Sequence, residues 1–503
     1  MNPLRIVDNF LNNITMYRLV LYGLSILAAV SVFFGFDGEL SFSGLAMLGS
    51  LAILVPLCHF ANKILSKIWD AQANTESSLI TALILFFIMP APTSSLRVGA
   101  LVAVAIVAMA SKYVVAIDRK HIFNPTALAV IVVGLTGLAH GTWWVGSPVL
   151  LPFTVLLAVL VLRKTRRFQL FGVFALASLS VIAGTAVLQG NDVPALLRQV
   201  ITSWPLIFMG AIMLTEPSTL PPLRFQQLLY GLLVGILFAS QLRLGPLSST
   251  PEVALALGNI YAFMVGQRSQ LRLRFKSKTK LGKDIYDFSF IPEHSVKFRA
   301  GQYAEWTLPH RGVDSRGNRR TFTIASSPTS DEVHIGTRIA EQSSSFKRAL
   351  MAMEPGDPIT TGQFTGGFIL PDNESTKLVL IAGGIGITPF LSMLDYLVDT
   401  NAKRNVTLIH LVNTPEDIGY DAAMQRFASN GVQVVPIVRS ASAGYRGLTG
   451  DFSYEVLEQV VPDFADRMFY LSGPHGMVVH YEDLLHKAGI KRRNIVTDHF
   501  SGY

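Results

Sequence analysis

Cysteine is almost absent from this chain of 503 residues, which contains Cys58 and no other. A lone thiol excludes an intrachain disulfide and any iron–sulfur cluster held by four thiolates of this chain. Histidine is scarce in the first half, where only His59, His121 and His140 precede Gln267. Because two stacked haems need four histidines at helical spacing, this scarcity disfavours a transmembrane haem relay. We expect no metal site.

Charged residues are also few, at 15% of the chain, against 50% hydrophobic residues and a mean hydropathy of +0.41. This composition is too apolar for an ordinary soluble protein. The apolar excess precedes Gln267, in blocks such as Leu19 to Phe36 and Val98 to Ile117 that have the length of a membrane span. The pattern predicts a polytopic α-helical membrane domain of about ten spans over residues 1–267.

The net charge of +8 does not indicate nucleic-acid binding, because the basic residues form no stripe with interleaved aromatic residues. Lys63, Lys67, the stretch from Arg163 to Arg167 and Arg224 instead lie at the ends of apolar blocks. This is the pattern of the positive-inside rule. It predicts a multi-pass protein of the inner (cytoplasmic) membrane, with the domain after Gln267 on the cytoplasmic side.

Two polar, proline-containing loops interrupt the apolar half, one from His121 to Thr126 and the other from Thr215 to Pro222. Non-helical backbone at membrane depth is buried in protein or lines a cavity, so such breaks often mark binding sites. The alternative is that both are simple turns between spans.

With these loops, the segment from about Leu19 to Leu244 resembles a family of flavin-carrying membrane proteins found in Rnf-type electron transport complexes and in sodium-pumping NADH:quinone reductase. The resemblance implies a flavin bound within the membrane. The polar groups available to hold it are those of Asn124, Thr126, Glu216 and Thr219.

That family attaches one flavin to a threonine in a Ser-Gly-Ala-Thr motif, which this chain lacks. Its nearest approach, from Ala183 to Ala186, has a different order. We therefore expect a second flavin, FMN or riboflavin, to be bound without a covalent bond.

Beyond the apolar half, closely spaced strand patterns such as Ile285 to Phe290 and Tyr303 to Leu308 predict a small antiparallel β-barrel over residues 268–372. After Pro371 the pattern changes. Buried strands such as Leu378 to Ile381 alternate with helical spacing, which predicts a doubly wound α/β domain over residues 373–503.

Two motifs carry chemistry in these domains. In Arg320-Thr321-Phe322-Thr323, the period of a strand places Arg320 and Phe322 on one face and the two threonines on the other. The alternative is an ordinary exposed strand with one buried aromatic residue.

The second motif is a glycine-rich turn that follows a strand and opens a helix, where glycines allow a pyrophosphate to approach the backbone. Proline stands where a third glycine is usual and presets the first helical turn. No acid follows the next strand, at Asn413. The residues predicted to bind cofactor here are Gly383, Gly384, Gly386, Thr388 and Pro389.

A barrel followed by a nucleotide-binding sheet, with these motifs in this order, resembles the ferredoxin-NADP reductase superfamily over nearly all of Arg272 to Tyr503. The resemblance implies bound FAD, with Arg320 on its pyrophosphate, Phe322 packed on the flavin and Thr323 bonded near N5, where hydride arrives.

The resemblance to the ferredoxin-NADP reductase superfamily also implies three further sites. Ser344 and Ser345 stand at a helix start that suits a phosphate, although plain capping would also explain them. The turn Ser472-Gly473-Pro474 resembles the nicotinamide-side turn, and Phe500 resembles the aromatic residue beside the flavin. A terminal aromatic residue that closes the core is the alternative for Phe500.

These features predict a membrane-bound NAD(P)H dehydrogenase, in which FAD takes hydride from cytoplasmic NADH or NADPH and electrons pass to a quinone or an extracytoplasmic electron-accepting protein. Arg439 and Arg446 could contact the 2′-phosphate of NADPH or be solvated charges, so the nucleotide stays open. The alternatives are a haem-containing enzyme of the ferric reductase or NADPH oxidase kind, and a transporter or sensor with a redox-reporting domain.

Overall fold

The computed structural model describes residues 7, 11, 14–69, 75–117, 120–240, 243–244, 247–266, 271–314, 317–440 and 445–500, with the backbone alone at 120, 243, 244, 247, 499 and 500. The chain divides into two compact units, Met1–Gln270 and Leu271–Tyr503. Each unit has its own hydrophobic core.

The described part of the first unit is helical, apart from two short strand pairs. Its helices are α1 (Met16–Asp37), α2 (Gly44–Ile68), α3 (Thr75–Ile88), α4 (Ser95–Val114), α5 (Pro125–Leu135), α6 (Leu151–Thr165), α7 (Phe168–Leu188), α8 (Val193–Ser203), α9 (Leu206–Phe208, continued by a π-helical turn at Met209–Met213), α10 (Arg224–Ala239) and α11 (Pro251–Val265). The strand pairs are β1 (Ala116–Ile117) with β2 (Lys120–His121), and β3 (Arg243–Leu244) with β4 (Leu247–Ser248).

Several of these helices are capped at their N-termini by hydroxyl side chains. The side chains of Thr15, Ser43 and Ser94 accept hydrogen bonds from the first-turn N–H groups of α1, α2 and α4. Such caps satisfy backbone donors that have no partner within the helix. Helix α1 is capped at its C-terminus by Gly38, which has a left-handed backbone with φ of 80°. Glycine adopts this conformation without steric strain because it has no Cβ.

Four of the described helices, α1, α2, α4 and α7, are long and apolar enough to cross a membrane. Helix α8 and the segment Leu206–Met213 meet at a bend of 59° and would form a fifth span if they cross together. The apolar helices α3, α5, α10 and α11 are shorter, at 10–17 residues. A straight span needs about 20 residues, so the predicted count of about ten spans stays a prediction.

The second unit begins with an antiparallel sheet that wraps one core. Its strands are β5 (Leu271–Lys280), β6 (Ile285–Pro292), β7 (Tyr303–Thr307), β8 (Arg319–Thr323), β9 (Val333–Arg338) and β10 (Pro358–Thr361), in the order β8-β7-β10-β5-β6-β9. Helix α12 (Ser345–Met351) follows β9. Phe290, Trp306 and Phe346 are fully buried in this core.

A parallel sheet follows, with hydrophobic clusters on both faces, as the doubly wound prediction requires. Its strands are β11 (Leu378–Gly383), β12 (Val406–Val412), β13 (Gln433–Val438), β14 (Leu448–Thr449), β15 (Met468–Pro474) and β16 (Ile495–Phe500), in the order β14-β13-β12-β11-β15-β16. Its helices are α13 (Thr388–Asp399), α14 (Asp421–Ser429), α15 (Tyr454–Val460) and α16 (His475–Lys487). Strands β12 to β14 are added on one side of β11, and β15 and β16 on the other. Such sheets bind ligands at the point where the strand order reverses in this way.

Candidate functional site

Strand β8 carries the arginine motif at the edge of the antiparallel sheet. The Arg320 guanidinium lies 5.5 Å from the ring centroid of Phe346, and the Phe322 and Phe346 rings are 5.8 Å apart. Arg320 and Phe322 therefore share a face, as the strand period predicts. The strand period places Thr321 and Thr323 together on the opposite face, but Thr321 is exposed and Thr323 is buried. They differ because the strand ends at Thr323 and the chain turns into the core at Ile324.

Three buried hydroxyls in this unit have no hydrogen-bond partner within the described part of the protein. They belong to Thr323, which is 4% exposed, and to Thr361 and Ser472, which are each 0% exposed. A buried polar group without a partner costs about 1–3 kcal/mol. Thr323 and Ser472 were predicted to face a cofactor, and a ligand with polar groups would satisfy their hydroxyls, whereas Thr361 was not predicted to bind one.

The helix start that follows β9 binds a carboxylate from the protein itself. Asp314 accepts a 2.8 Å hydrogen bond from the backbone N–H of Ser345 and lies 3.3 Å from the Arg320 guanidinium. Its own N–H donates to the Ser345 hydroxyl at 2.9 Å. The Asp314 carboxylate thus contacts both Arg320, which was predicted to bind the FAD pyrophosphate, and the N–H of Ser345, which was predicted to suit a phosphate.

The flanking serine acts as a helix cap. The Ser344 hydroxyl accepts from the N–H of Lys347 at 3.4 Å, which is the alternative that the sequence left open. Nε2 of His310 lies 2.9 Å from the Ser345 hydroxyl. Sequence reasoning missed both His310 and Asp314, because nothing in the pattern indicates that the loop after β7 folds back onto α12.

The glycine loop leaves β11 as a short 3₁₀ turn, Gly384–Ile387, and Pro389 then occupies the first turn of α13, as predicted. Gly384 has φ of +52°, a left-handed conformation that favours glycine. A Cβ on Gly386 would lie 2.4 Å from the carbonyl oxygen of Ser472. The glycine loop and the turn at Ser472, Gly473 and Pro474 are therefore in direct contact.

His410 holds the other side of this loop. It lies on β12, is 1% exposed, and has Nε2 3.0 Å from the carbonyl oxygen of Gly384. Burial lowers its pKa to about 4, so the ring is neutral and Nε2–H donates this bond. Sequence reasoning missed His410, although a lone histidine within the apolar run Val406–Val412 was an available signal.

At the end of the sheet, Phe500 pairs with Pro474 through the backbone of β16, and the position of its side chain lies outside the described part. Arg439 pairs with Asp451, with 2.8 Å between Nε and a carboxylate oxygen. Arg446 is exposed. NADH and NADPH both remain candidates.

In the first unit, the two proline loops meet. The side-chain amide of Asn124 donates to the Glu216 carboxylate at 2.7 Å, and the Thr219 hydroxyl donates to the same oxygen at 3.4 Å. The Asn124 side-chain oxygen also accepts from the N–H of Thr126 and caps α5. Asn124, Thr126 and Thr219 are each under 5% exposed. The four predicted residues therefore form one buried cluster, rather than two independent turns.

Two residues that sequence reasoning missed extend this cluster. The Asn259 side chain on α11 accepts from the backbone N–H of Asn124 at 2.8 Å and donates to the Tyr230 hydroxyl on α10 at 3.0 Å. Both are fully buried. A polar pair on helices that otherwise read as apolar was the available signal.

Comparison with known proteins places the second unit among oxidoreductase modules. Residues 380–483 match the family model described as an oxidoreductase NAD-binding domain. The chain is 26% identical over 200 residues to the glycine betaine monooxygenase reductase subunit of Pseudomonas aeruginosa, which covers 38% of this chain and 53% of that protein. The chain thus spans about half the length of this curated relative.

A probable flavin reductase of Photobacterium leiognathi is 26% identical over 210 residues, covering 40% of this chain and 85% of that protein. Among solved structures, the FAD/NAD-binding domain of nitric oxide dioxygenase from Vibrio cholerae is 20% identical with a TM-score of 0.42, covering 46% of this chain and 98% of that domain. By its sequence relatives, the second unit is similar to NAD-binding flavin oxidoreductases.

Proposed function

We propose that the chain is a membrane-bound, flavin-dependent NAD(P)H dehydrogenase. One observation carries this proposal: the second unit contains both a strand with the arginine motif and a glycine loop. The Thr323 hydroxyl on that strand is buried and has no protein partner among the described residues. The glycine loop lies inside the matched NAD-binding domain. The similarity of this unit to reductase subunits and a flavin reductase supports the same chemistry.

The residues of the barrel fit FAD. Phe322 offers a half-buried ring, Arg320 a cation, and Thr323 a hydroxyl without a partner among the described residues. The ion pair of Arg320 with Asp314 supports an anion-binding role for this arginine. Bound FAD would supply an acceptor for hydride and a means of passing electrons on singly. Thr323 would hold a hydrogen bond at the flavin edge, and Phe322 would keep water from one face.

The residues of the parallel sheet fit a dinucleotide. The loop from Gly383 to Thr388 brings backbone N–H groups to the carboxyl end of the central strand β11, where a pyrophosphate binds in such folds. His410 and the turn at Ser472 hold this loop from its two sides. The Ser472 hydroxyl would serve the nicotinamide end, since β15 lies on the opposite side of β11 from β12.

The first unit is proposed as a multi-pass domain of the inner (cytoplasmic) membrane, similar to the flavin-carrying membrane proteins of Rnf complexes and sodium-pumping NADH:quinone reductase, with about ten spans. Large apolar side chains on its surface support contact with lipid, for example Phe33 at 67% and Leu176 at 69% exposed. We propose that the second unit is cytoplasmic. Proteolysis of sealed right-side-out vesicles should spare it, and digestion there would overturn this orientation.

The electrons would leave through a second, non-covalent flavin, FMN or riboflavin, to a quinone or to an extracytoplasmic electron-accepting protein. The convergence of Asn124, Thr126, Glu216 and Thr219 on one buried cluster supports this place for it. Because their polar atoms already bond one another, the flavin would lie against the cluster rather than between its members.

One preparation tests the proposal against the haem alternative. The purified full-length protein should show the two absorption bands of a flavin, with no Soret band, and should oxidise NADH or NADPH with ferricyanide as the acceptor. A Soret band would favour the haem-containing reductase. A folded, FAD-loaded protein that oxidises neither nucleotide would leave the redox-reporting sensor as the better interpretation.

A further inference from the structure

Tyr420 connects the two sheets of the second unit. It immediately precedes α14 on the nucleotide side, and its hydroxyl donates a 3.0 Å hydrogen bond to the Asp287 carboxylate on β6 of the antiparallel sheet. Burial raises the pKa of this phenol well above 10, so it stays a donor throughout the physiological range. The backbone of Tyr420 is left-handed, with φ of +67°, which a non-glycine residue adopts only where its surroundings hold it.

Asp287 is oriented from its other side by the barrel. Nδ1 of His334 on β9 lies 2.6 Å from the second carboxylate oxygen of Asp287. One oxygen therefore serves the barrel and the other serves Tyr420. Because His334 fixes the carboxylate, the position of the Tyr420 hydroxyl is fixed relative to β6 and β9.

Gly336 shows how close this contact is. A Cβ built on Gly336 of β9 would lie 2.2 Å from the Tyr420 hydroxyl and 2.8 Å from the methyl group of Thr388. Thr388 is the first residue of α13, directly after the glycine loop. Tyr420 and the end of the glycine loop therefore meet the barrel at the same residue.

A second link lies beside the first. Arg338, at the end of β9, pairs with Asp417 in the turn before Tyr420, with 2.7 Å between their charged atoms. The segment Pro415–Asp417 forms a 3₁₀ turn that presents both Asp417 and, shortly after it, Tyr420 to β9. This turn is thus held to the barrel at two points.

We propose that Tyr420 is a positioning residue: its hydrogen bond to Asp287 sets the glycine loop, at Thr388, against strand β9 of the barrel. This inference rests on the proposed function, because it concerns the alignment of the nucleotide site with the flavin strand. Neither Tyr420 nor Asp287 is among the residues predicted to bind FAD or the nucleotide. The expected signature is therefore slower hydride transfer with intact binding.

The test compares Tyr420→Phe with Tyr454→Phe, which alters an exposed tyrosine of the same unit. In Tyr420→Phe, the single-turnover rate of flavin bleaching by NADH or NADPH should fall by about tenfold or more, since a misplacement of about 1 Å can cost up to about 10²-fold. Affinity for FAD, read from flavin fluorescence, should change less than about twofold. Tyr454→Phe should match the wild type in both.

A second readout needs no bound cofactor. Hydrogen–deuterium exchange in the cofactor-free protein should become faster at residues 415–421 and in β9 of Tyr420→Phe, and should be unchanged in Tyr454→Phe. The double variant Tyr420→Phe with Asp287→Ala should lose no more hydride-transfer rate than Asp287→Ala alone, because the alanine has already removed the acceptor of the Tyr420 hydroxyl.

The outcomes separate two failures. Wild-type transfer rates and exchange in Tyr420→Phe would overturn the positioning role, as would fully additive losses in the double variant. If the wild-type protein binds FAD but is reduced by neither nucleotide, the proposed function itself fails, while the exchange data still decide whether Tyr420 holds the two sheets together.

Discussion

The side-chain amide of Asn124 donates a 2.7 Å hydrogen bond to the carboxylate of Glu216, which lies 92 positions further along the chain. This bond joins two loops that interrupt the apolar half. Ser218 and Thr219 donate to the same carboxylate from its own loop. A carboxylate within an apolar helical unit is costly unless it is hydrogen-bonded, and here three neighbours supply those bonds.

Replacing Glu216 with alanine should destabilise the first unit. Asn124 would be left buried without its acceptor, at a cost of about 1–3 kcal/mol. The melting temperature of the purified full-length protein should fall, while FAD stays bound to the second unit. Glu216→Gln is the matched control, because its amide oxygen still accepts from Asn124. An alanine variant as stable as the wild type would show that the bond does not hold the loops.

Replacing Arg320 with glutamate should abolish FAD retention. The change puts an anion where a cation now faces both Asp314 and the predicted pyrophosphate, so it repels both. Bound FAD should be measured by extraction after gel filtration. Arg274→Glu, at an exposed position on β5 of the same sheet, should keep FAD. Wild-type FAD content in Arg320→Glu would mean that β8 is not the flavin site.

The fragment from residue 268 onward should fold alone and reduce ferricyanide with NADH or NADPH. Its hydrophobic clusters and all the residues predicted to bind FAD and nucleotide lie within the unit Leu271–Tyr503. Reduction of a membrane acceptor should require the full chain. A folded fragment that binds FAD yet oxidises neither nucleotide would remove the dehydrogenase assignment.

Local periodicity carried the predictions that the structure confirms. The period of two placed Arg320 and Phe322 on one face of β8, and the change to buried strands placed the parallel sheet after Pro371. These patterns depend on residues a few positions apart. The predicted start of α13 at Pro389 depends on one proline and the strand before it.

Contacts across long sequence distances escaped prediction. Asp314 meets Ser345 across 31 positions and Tyr420 meets Asp287 across 133, and each pair consists of residue types common on any surface. Only the folded chain brings them together. The number of membrane spans could not be predicted from composition either, because some apolar blocks, such as α5, form helices that are shorter than a membrane crossing.

Stability of the second unit should fall as the pH rises above about 6.5, the ordinary pKa of histidine. Burial lowers the pKa of His334, but its hydrogen bond to Asp287 and the charges of Asp287, Glu332 and Asp395 outweigh this and raise it overall. The folded state therefore binds the proton more tightly. The stabilisation is full below the ordinary pKa and is lost as pH rises through the raised value.

Unfolding of the fragment from residue 268 by urea, measured at several pH values, tests this dependence. His334→Gln should lose the decline above pH 6.5. Burial also raises the pKa of Asp395 to about 6, so this carboxyl affects stability mainly at lower pH and does not mask the result. An identical decline in His334→Gln would assign the effect to another group.

We predict that electrons cross the first unit through a second, non-covalent flavin. In the proposed orientation, an electron leaving FAD at the cytoplasmic face would have roughly 30 Å of hydrocarbon to cross, which is too far for one productive tunnelling step. The chain has one cysteine, and three histidines before Gln267, which are too few for metal relays. A second flavin beside the cluster of Asn124 and Glu216 is the relay that we propose, and the missing attachment motif predicts that it is non-covalent.

Acid precipitation should therefore release all flavin from the purified protein, and a denaturing gel should carry no fluorescent band. Quantifying the released flavins should give FAD together with FMN or riboflavin. A fluorescent band would refute non-covalent binding. One FAD per chain in membranes that still reduce a quinone would instead remove the relay, and would mean that the quinone takes its electrons directly at the second unit.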